Sequence, residues 1–517
     1  MRRAFYRAII TLITAMGITG LSLTVTPVIA SPVVTPTTNP AAELPDIGTP
    51  ADAILTNGEE FQVGSMIMRQ LRETGELIDD PILNQYIQDI GTKIAAHAQE
   101  GNRQFHFFIV RDAGINAFAL PGGFVCVNAG LILATRSESE LASVLAHEIS
   151  HVTQRHAVRG VLNQRKATLA STAALLAAIL IGATSSNANA GLAGVVVGQG
   201  AAQQQQLNFS REDEFEADRI GIGVMASSGF DPQAMASFFD VLARHEGGYG
   251  ENAHLIELLQ THPLSTERIA EAKSRAAKYP VIRALDSTSY RLARERLRVM
   301  QLPIGTEPLE AYPQVAFKEP SVNEVRAYGR ALAYLREHQA EVAIPLLKQL
   351  VEAHPDVIEY QVDLGQAYLD NHQPTESRAL LKHARELFPR NPPVTIRYAE
   401  ALMRDNDARL AHAVLLDLFN NVPPSPAEVR FIALAASAAG ESAEANYYMA
   451  EYHLMNGQLT LSIETLRQAL AEPSITPVQR ERYKARIEEL KEYLPPRLQA
   501  QLDRGEPLPP DIPDRGR

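Results

Sequence analysis

His147, Glu148 and His151, within LASVLAHEISHVTQRHA, have the types and the spacing for metal-assisted hydrolysis. The stretch lacks proline and glycine and its apolar residues recur at helical intervals, so the two histidines project from one face. They can hold a single metal ion between their imidazoles. Glu148 then reaches a water at that ion and can act as a base. A second run, Glu214-Phe215-Glu216-Ala217-Asp218, begins 63 residues after His151 and also reads as helix. Glu214 completes a set of three ligands with the fourth position open, as catalytic rather than structural metal requires. Asp218, one turn on, can hold the outer ring nitrogen of a ligand histidine and fix its tautomer. The same acidic run on its own reads equally as a solvated helix face, and the upstream motif decides between the two. His156 and His245 are weaker candidates, read as outer supports or surface residues.

Composition narrows the rest. The chain has 517 residues, 45% of them hydrophobic and 21% charged, which is globular and long enough for two or more domains. Its formal charge is -12; removing the +3 of Arg2, Arg3 and Arg7 leaves -12 - 3 = -15, which disfavours nucleic acid as a partner. With Cys126 as the one cysteine, no intrachain disulfide and no multi-cysteine metal site can form.

Three basic residues, the apolar stretch Ala8 to Leu23, and Val28-Ile29-Ala30 predict a cleaved signal peptide over residues 1–30 and export from the cytoplasm. An uncleaved anchor is the competing reading, disfavoured by an apolar core short of the ~20 residues a span needs. Residues 31–54 read as an extended mature N-terminus. Residues 55–280 form the domain that carries the motif. In it, two amphipathic helices lie between Phe61 and His97, parted near Asp79-Asp80-Pro81. A strand runs from Phe105 to Val110, and two more flank Pro121-Gly122-Gly123. A single helix is expected from Glu138 to Gly160. The apolar segment 167–202 reads either as a self-packed helical hairpin or as a lid or surface that touches membrane or client.

Residues 281–320 read as a connector. From 321 to 495 Pro355, Pro389 and Pro423 recur every 34 residues, in phase with Tyr334, Tyr368 and Leu402 and with Ala343, Ser377 and Ala411. This is the period of tetratricopeptide helix pairs stacked into a solenoid. A further unit near Met449-Ala450 and Asn456-Gly457 is expected to be offset by an inserted helix at Phe431 to Ala439. Residues 496–517 read as a mobile, Pro-rich polar tail. The fold class is therefore α+β, mainly α: a metal-binding domain with a small sheet, then an all-α solenoid.

His147-Glu148-x-x-His151 and Glu214-x-x-Ala217-Asp218, with Asn116-Ala117-Phe118-Ala119-Leu120-Pro121-Gly122-Gly123 before them, resemble the HtpX and CAAX-prenyl-protease superfamily of zinc metallopeptidases. Export and the repeats narrow the resemblance to its BepA (YfgC) type, periplasmic proteins with tetratricopeptide repeats, over residues of about 55 to 495. The resemblance implies one Zn2+ per chain on His147, His151 and Glu214, with Glu148 as general base. It also implies a strand edge near Asn116 to Phe124 that pairs with an extended substrate. His262, in Thr261-His262-Pro263-Leu264-Ser265, matches a family histidine that either stabilises the oxyanion or fills the open zinc position in a resting enzyme. The residues alone also fit an exposed turn before a helix capped by Ser265. The implied function is a secreted metalloendopeptidase that degrades misassembled outer-membrane proteins, with the repeats binding clients or assembly machinery. The alternative is a periplasmic chaperone or scaffold in which the repeats supply the main function.

Overall fold

The computed structural model describes residues 56–98, 103–162, 209–246 and 258–509. The expected signal peptide 1–30, the N-terminus 31–54, the apolar segment 167–202 and the side chain of His245 lie outside the described residues.

Thr56 and Glu59 cap each other's backbone at the start of α1 (Asn57–Glu73), and Asp80 with Pro81 opens α2 (Pro81–Ala95). The three strands β1 (His106–Val110), β2 (Ala117–Leu120) and β3 (Phe124–Asn128) form a sheet in the order β1-β3-β2. β1 runs parallel to β3, and β2 returns antiparallel with Ala119 opposite Val125. Gly122 and Gly123 make the β2–β3 turn at φ of 85° and 90°, backbone that side-chain-bearing residues rarely adopt. After α3 (Ala129–Ala134) comes α4 (Glu138–Thr153), capped by Ser137 and buried at every position from Ser139 to Thr153. A helix enclosed on all sides must find partners inside the fold for its polar residues, Glu140, His147, Glu148 and His151 among them. The sheet, α2, α6 (Arg211–Ser227) and α7 (Gln233–Glu246) enclose it.

The expected helix from Glu138 to Gly160 is broken. Arg155 takes a left-handed φ of 53°, and α5 (His156–Leu162) starts afresh. No glycine or proline marks the break. It is held by Arg155, whose Nη2 lies 2.6 Å from the buried Glu60 of α1.

Two short helices, α8 (Leu258–Thr261) and α9 (Thr266–Ala276), close this domain, and Ser265 caps α9 as expected. The stretch read as a connector contains α10 (Thr288–Met300), which serves two cores at once. Tyr290, Ala293 and Leu297 pack into the core around α4, while Leu292 and Val299 pack with Tyr312 and the first repeat helices.

The repeats follow α11 (Pro308–Ala311) as antiparallel pairs. The pairs are α12 (Pro320–Arg336) with α13 (Ala340–Ala353), α14 (Ile358–Asp370) with α15 (Pro374–Leu387), and α16 (Pro392–Arg404) with α17 (Ala408–Phe419). The turns within these pairs place His338, His372 and Asn406 at left-handed φ of 57°, 56° and 61°. The expected inserted helix is α18 (Pro426–Ala438), and it is not an insertion. It pairs with α19 (Ser442–Met455) through Gly440, 34 residues after Asn406, and Ala445 continues the buried register of Ala343, Ser377 and Ala411. Then come α20 (Leu459–Ala471) and α21 (Pro477–Lys491). The tail expected at 496–517 departs from the sequence reading as far as residue 509. There α22 (Pro496–Asp503) forms, and Leu498, Leu502 and Leu508 pack onto the last core, because three leucines let this segment bury apolar surface despite its prolines.

Arg296 of α10 ties the two parts together. Its guanidinium lies 2.7 Å from Asp80, the cap of α2, and 2.8 Å from Asp363 of α14. Among the described residues no helix is long and apolar enough to cross a membrane.

Candidate metal centre

α4 and α6 pack side by side, which brings the two sequence motifs together. His147 and His151, one turn apart on α4, set their Nε2 atoms 3.0 Å from each other. Glu214, in the first turn of α6, places Oε1 3.4 Å from His151 Nε2 and Oε2 3.5 Å from His147 Nε2. His262, on the loop after α8, adds Nδ1 at 3.3 Å from His147 Nε2 and 2.8 Å from Glu214 Oε1. All four side chains are buried.

These separations test whether a metal fits. Four donors around an ion at about 2.0–2.1 Å lie roughly 3.3 Å apart in a tetrahedron. Four of the six separations, 3.0, 3.3, 2.8 and 3.4 Å, lie near that figure. Three imidazoles and a carboxylate are also donors that suit Zn2+.

Each of these donor groups is contacted from outside. Asp218 Oδ1 lies 2.9 Å from His147 Nδ1, as its spacing in the sequence suggested. Arg268 of α9 grips Asp218 with Nε and Nη2 at 2.8 and 2.9 Å, and its Nη1 lies 2.7 Å from Glu214 Oε2. The Phe209 ring lies 4.1 Å from that of His151 and stacks on His262 at 5.2 Å. Glu148 sits beside the cluster. The backbone N–H of Ala119 on β2 reaches its carboxylate, while Oε1 has no hydrogen-bond partner among the described residues and faces His262 Nε2 at 3.6 Å.

Charge follows packing. Burial pushes the Glu148 carboxyl above the usual carboxylate range, against the pull of His262 and His147. Glu214 is held well below that range: burial opposes its charge, but the three histidines around it outweigh burial. Burial opposes a charge on His147 as well, yet Asp218 and Glu214 hold its imidazole up at about 10. Burial takes His151 well below the ordinary histidine value. The donor set thus carries one firmly ionised carboxylate.

The model of peptidase family M48 matches residues 81–276. Over 461 residues, 87% of this chain and 92% of the relative, the sequence is 34% identical to the beta-barrel assembly-enhancing protease of Escherichia coli K12. The chain belongs to peptidase family M48. A second relative of the same name, from Yersinia pestis, is 34% identical over 457 residues, 87% of this chain and 91% of its own. A shorter similarity, 31% over 184 residues and half of the relative, links it to the mitochondrial metalloendopeptidase OMA1 of Schizosaccharomyces pombe. This M48 protein is a metalloprotease of the beta-barrel assembly-enhancing type.

Three parts of the M48 site had no clear mark in the sequence. Arg268 lies 50 residues beyond Asp218, with only the helix start around it to read. His156 proves to be buried against His151. An apolar pocket beside Glu148 is lined by Val144, Met235, Phe238, Leu242, Leu258 and Leu264, residues from three helices and the His262 loop.

Proposed function

We propose that the metal is one Zn2+ held by His147, His151 and Glu214, that Glu148 is the general base, and that Asp218 steadies His147. The domain limits drawn from the sequence, a metalloprotease over 55–280 and repeats over 321–495, belong to the same reading. So does export to the periplasm after loss of residues 1–30. The substrates are misassembled or stalled outer-membrane β-barrel proteins, and the repeats bind those clients or the assembly machinery. The names of the relatives and their match along nearly the whole chain support this. A peripheral membrane contact through 167–202 remains part of the proposal. The observation that carries the reading is the buried cluster of four donors beside a Glu148 oxygen that has no hydrogen-bond partner among the described residues.

Held by these residues, Zn2+ would lower the pKa of a water toward about 7 and would polarise a carbonyl. Glu148 takes the proton of the attacking water and delivers it to the leaving amine, and its burial makes it a stronger base than an exposed carboxylate. β2 lies at the sheet edge with Ala119 next to Glu148, so an extended peptide paired along it passes the base. The pocket receives a large apolar side chain next to the scissile bond, since Val144, Met235, Phe238, Leu242, Leu258 and Leu264 make most of its wall, with Ser143 and Arg268 lining it beside the cluster.

His262 favours one of its two expected roles. With Nδ1 3.3 Å from His147 Nε2 and 2.8 Å from Glu214 Oε1, it would be a fourth donor and would close a bound metal to substrate, as in a resting enzyme. The pocket has only about 30 Å³ of free space, room for a water, and Leu258 and Leu264 of its wall flank His262 in the chain. Opening the metal and widening the pocket therefore call for one movement of this segment.

The test is proteolysis of an unfolded outer-membrane β-barrel protein by wild type and Glu148→Gln, with chelation and zinc add-back. Cleavage that is lost on chelation, restored by zinc and absent from the variant is expected. Equal cleavage by both enzymes would sink the mechanism.

A further inference from the structure

We propose that His156 fixes the tautomer and the orientation of His151, so that α6 holds both histidines of the motif as well as supplying the third ligand. The inference rests on the ligand assignment above.

His156 is 1% exposed, and its ring meets that of His151 with centroids 4.7 Å apart at 78°. The two Nδ1 atoms are 2.8 Å apart. Facing ring nitrogens at that distance need one proton between them. His151 points Nε2 at the other donors of the cluster, where a ligand needs a lone pair, so its own proton is on Nδ1. His151 Nδ1–H therefore donates and His156 Nδ1 accepts, which leaves the proton of His156 on Nε2. That atom lies 3.2 Å from Glu216 Oε2 and 3.5 Å from Asp213 Oδ1, both on α6. Every donor in this chain faces an acceptor.

His156, Asp213 and Glu216 also have the composition of a second metal site. The geometry points elsewhere. His151 takes one nitrogen of His156, and Arg159 Nη2 sits 3.0 and 3.1 Å from the Asp213 and Glu216 oxygens, supplying the positive charge that a cation would bring.

The break at Arg155 makes the contact possible. In an unbroken helix position 156 would stand about 140° around the axis from His151, on another face. With Arg155 left-handed and pinned to Glu60, the helix is broken and His156 comes to lie against His151. α6 then serves the centre three times. Glu214 is a ligand, Asp218 holds His147 directly, and Glu216 holds His151 through His156.

The test measures zinc affinity of the full chain by chelator competition for wild type, His156→Ala, His156→Asn and His151→Ala, with thermal unfolding of the metal-free proteins alongside. Loss of a residue that orients a ligand lowers metal affinity about 10–100-fold. His156→Ala is expected to show that loss. His156→Asn, whose amide oxygen can accept from His151 Nδ1, is expected to recover most of it. Wild-type zinc affinity in a folded His156→Ala, or equal losses of affinity and of melting temperature in both variants, would overturn the inference. If His151→Ala also binds zinc like wild type, the ligand assignment itself has failed.

Discussion

In the repeats, a small side chain at 343 is matched at 377, 411 and 445, and the left-handed turn residue at 338 is matched at 372, 406 and 440. In the metal centre nothing recurs. His147 has Asp218, His151 has His156, Glu214 has Arg268, and no two of these pairs follow the same spacing. A repeat is built from contacts between neighbouring helices, so its stability is spread over many similar positions. The centre concentrates its chemistry in a few groups without substitutes. A change in the first region should therefore cost stability and spare chemistry, and a change in the second should do the reverse.

The sharpest way to break that contrast is Glu148→Gln. Peptide hydrolysis should fall by roughly 10²–10⁴ with zinc content and melting temperature unchanged, read from initial rates, metal analysis and a thermal scan. Arg296→Ala strikes the joint between the regions. It leaves Asp80 and Asp363 buried without their shared cation and should cost about 3–5 kcal/mol in denaturant unfolding. Leu381→Ala, fully buried among the repeats, should cost about 2–5 kcal/mol while zinc affinity stays at the wild-type value. A change in zinc affinity there would show that strain in the repeats reaches the metal centre through α10. His262→Ala should raise basal proteolysis several-fold or cause self-cleavage; a fall of roughly 10²–10³ would instead make it the oxyanion donor. The smallest effect is on the acid limb of the pH–rate profile. Glu148 must be ionised to accept a proton, and burial raises its pKa, so activity should fade as pH drops at a point above the ordinary carboxylate value. A limb at the value of an exposed glutamate would count against Glu148 as the base.

Periodic features were readable in advance. The helical spacing of the His147 motif and of Glu214 to Asp218, the turn at Gly122-Gly123 and the phase of 34 residues each repeat a local rule, and local rules survive in a single sequence. What depends on contacts between distant residues was hidden. The end of α4 carries no breaker because Glu60, 95 positions upstream, holds it. His156 looked peripheral because its value comes from that break. α18 passed for an insertion because glycine replaces the histidine or asparagine of the earlier turns at 440, masking the phase. α10 was taken for a connector because four arginines and a glutamate dominate its thirteen residues, and its few apolar ones serve two different cores.

α10 also removes the slack between repeats and active site. Ser287, at its start, donates from its backbone N–H and its hydroxyl to Glu138, the first residue of α4, at 3.0 and 2.7 Å, and Tyr290 reaches Thr135 just before it. Its other face is bolted to the first repeats by Leu292, Val299 and the Arg296 bridge. A load applied to the repeats by anything they grip is thus delivered at the root of the helix bearing His147, Glu148 and His151. Mechanically, the repeat array is a handle fixed to the catalytic helix, and a tug on it arrives as torque on that helix, with no flexible tether to absorb it.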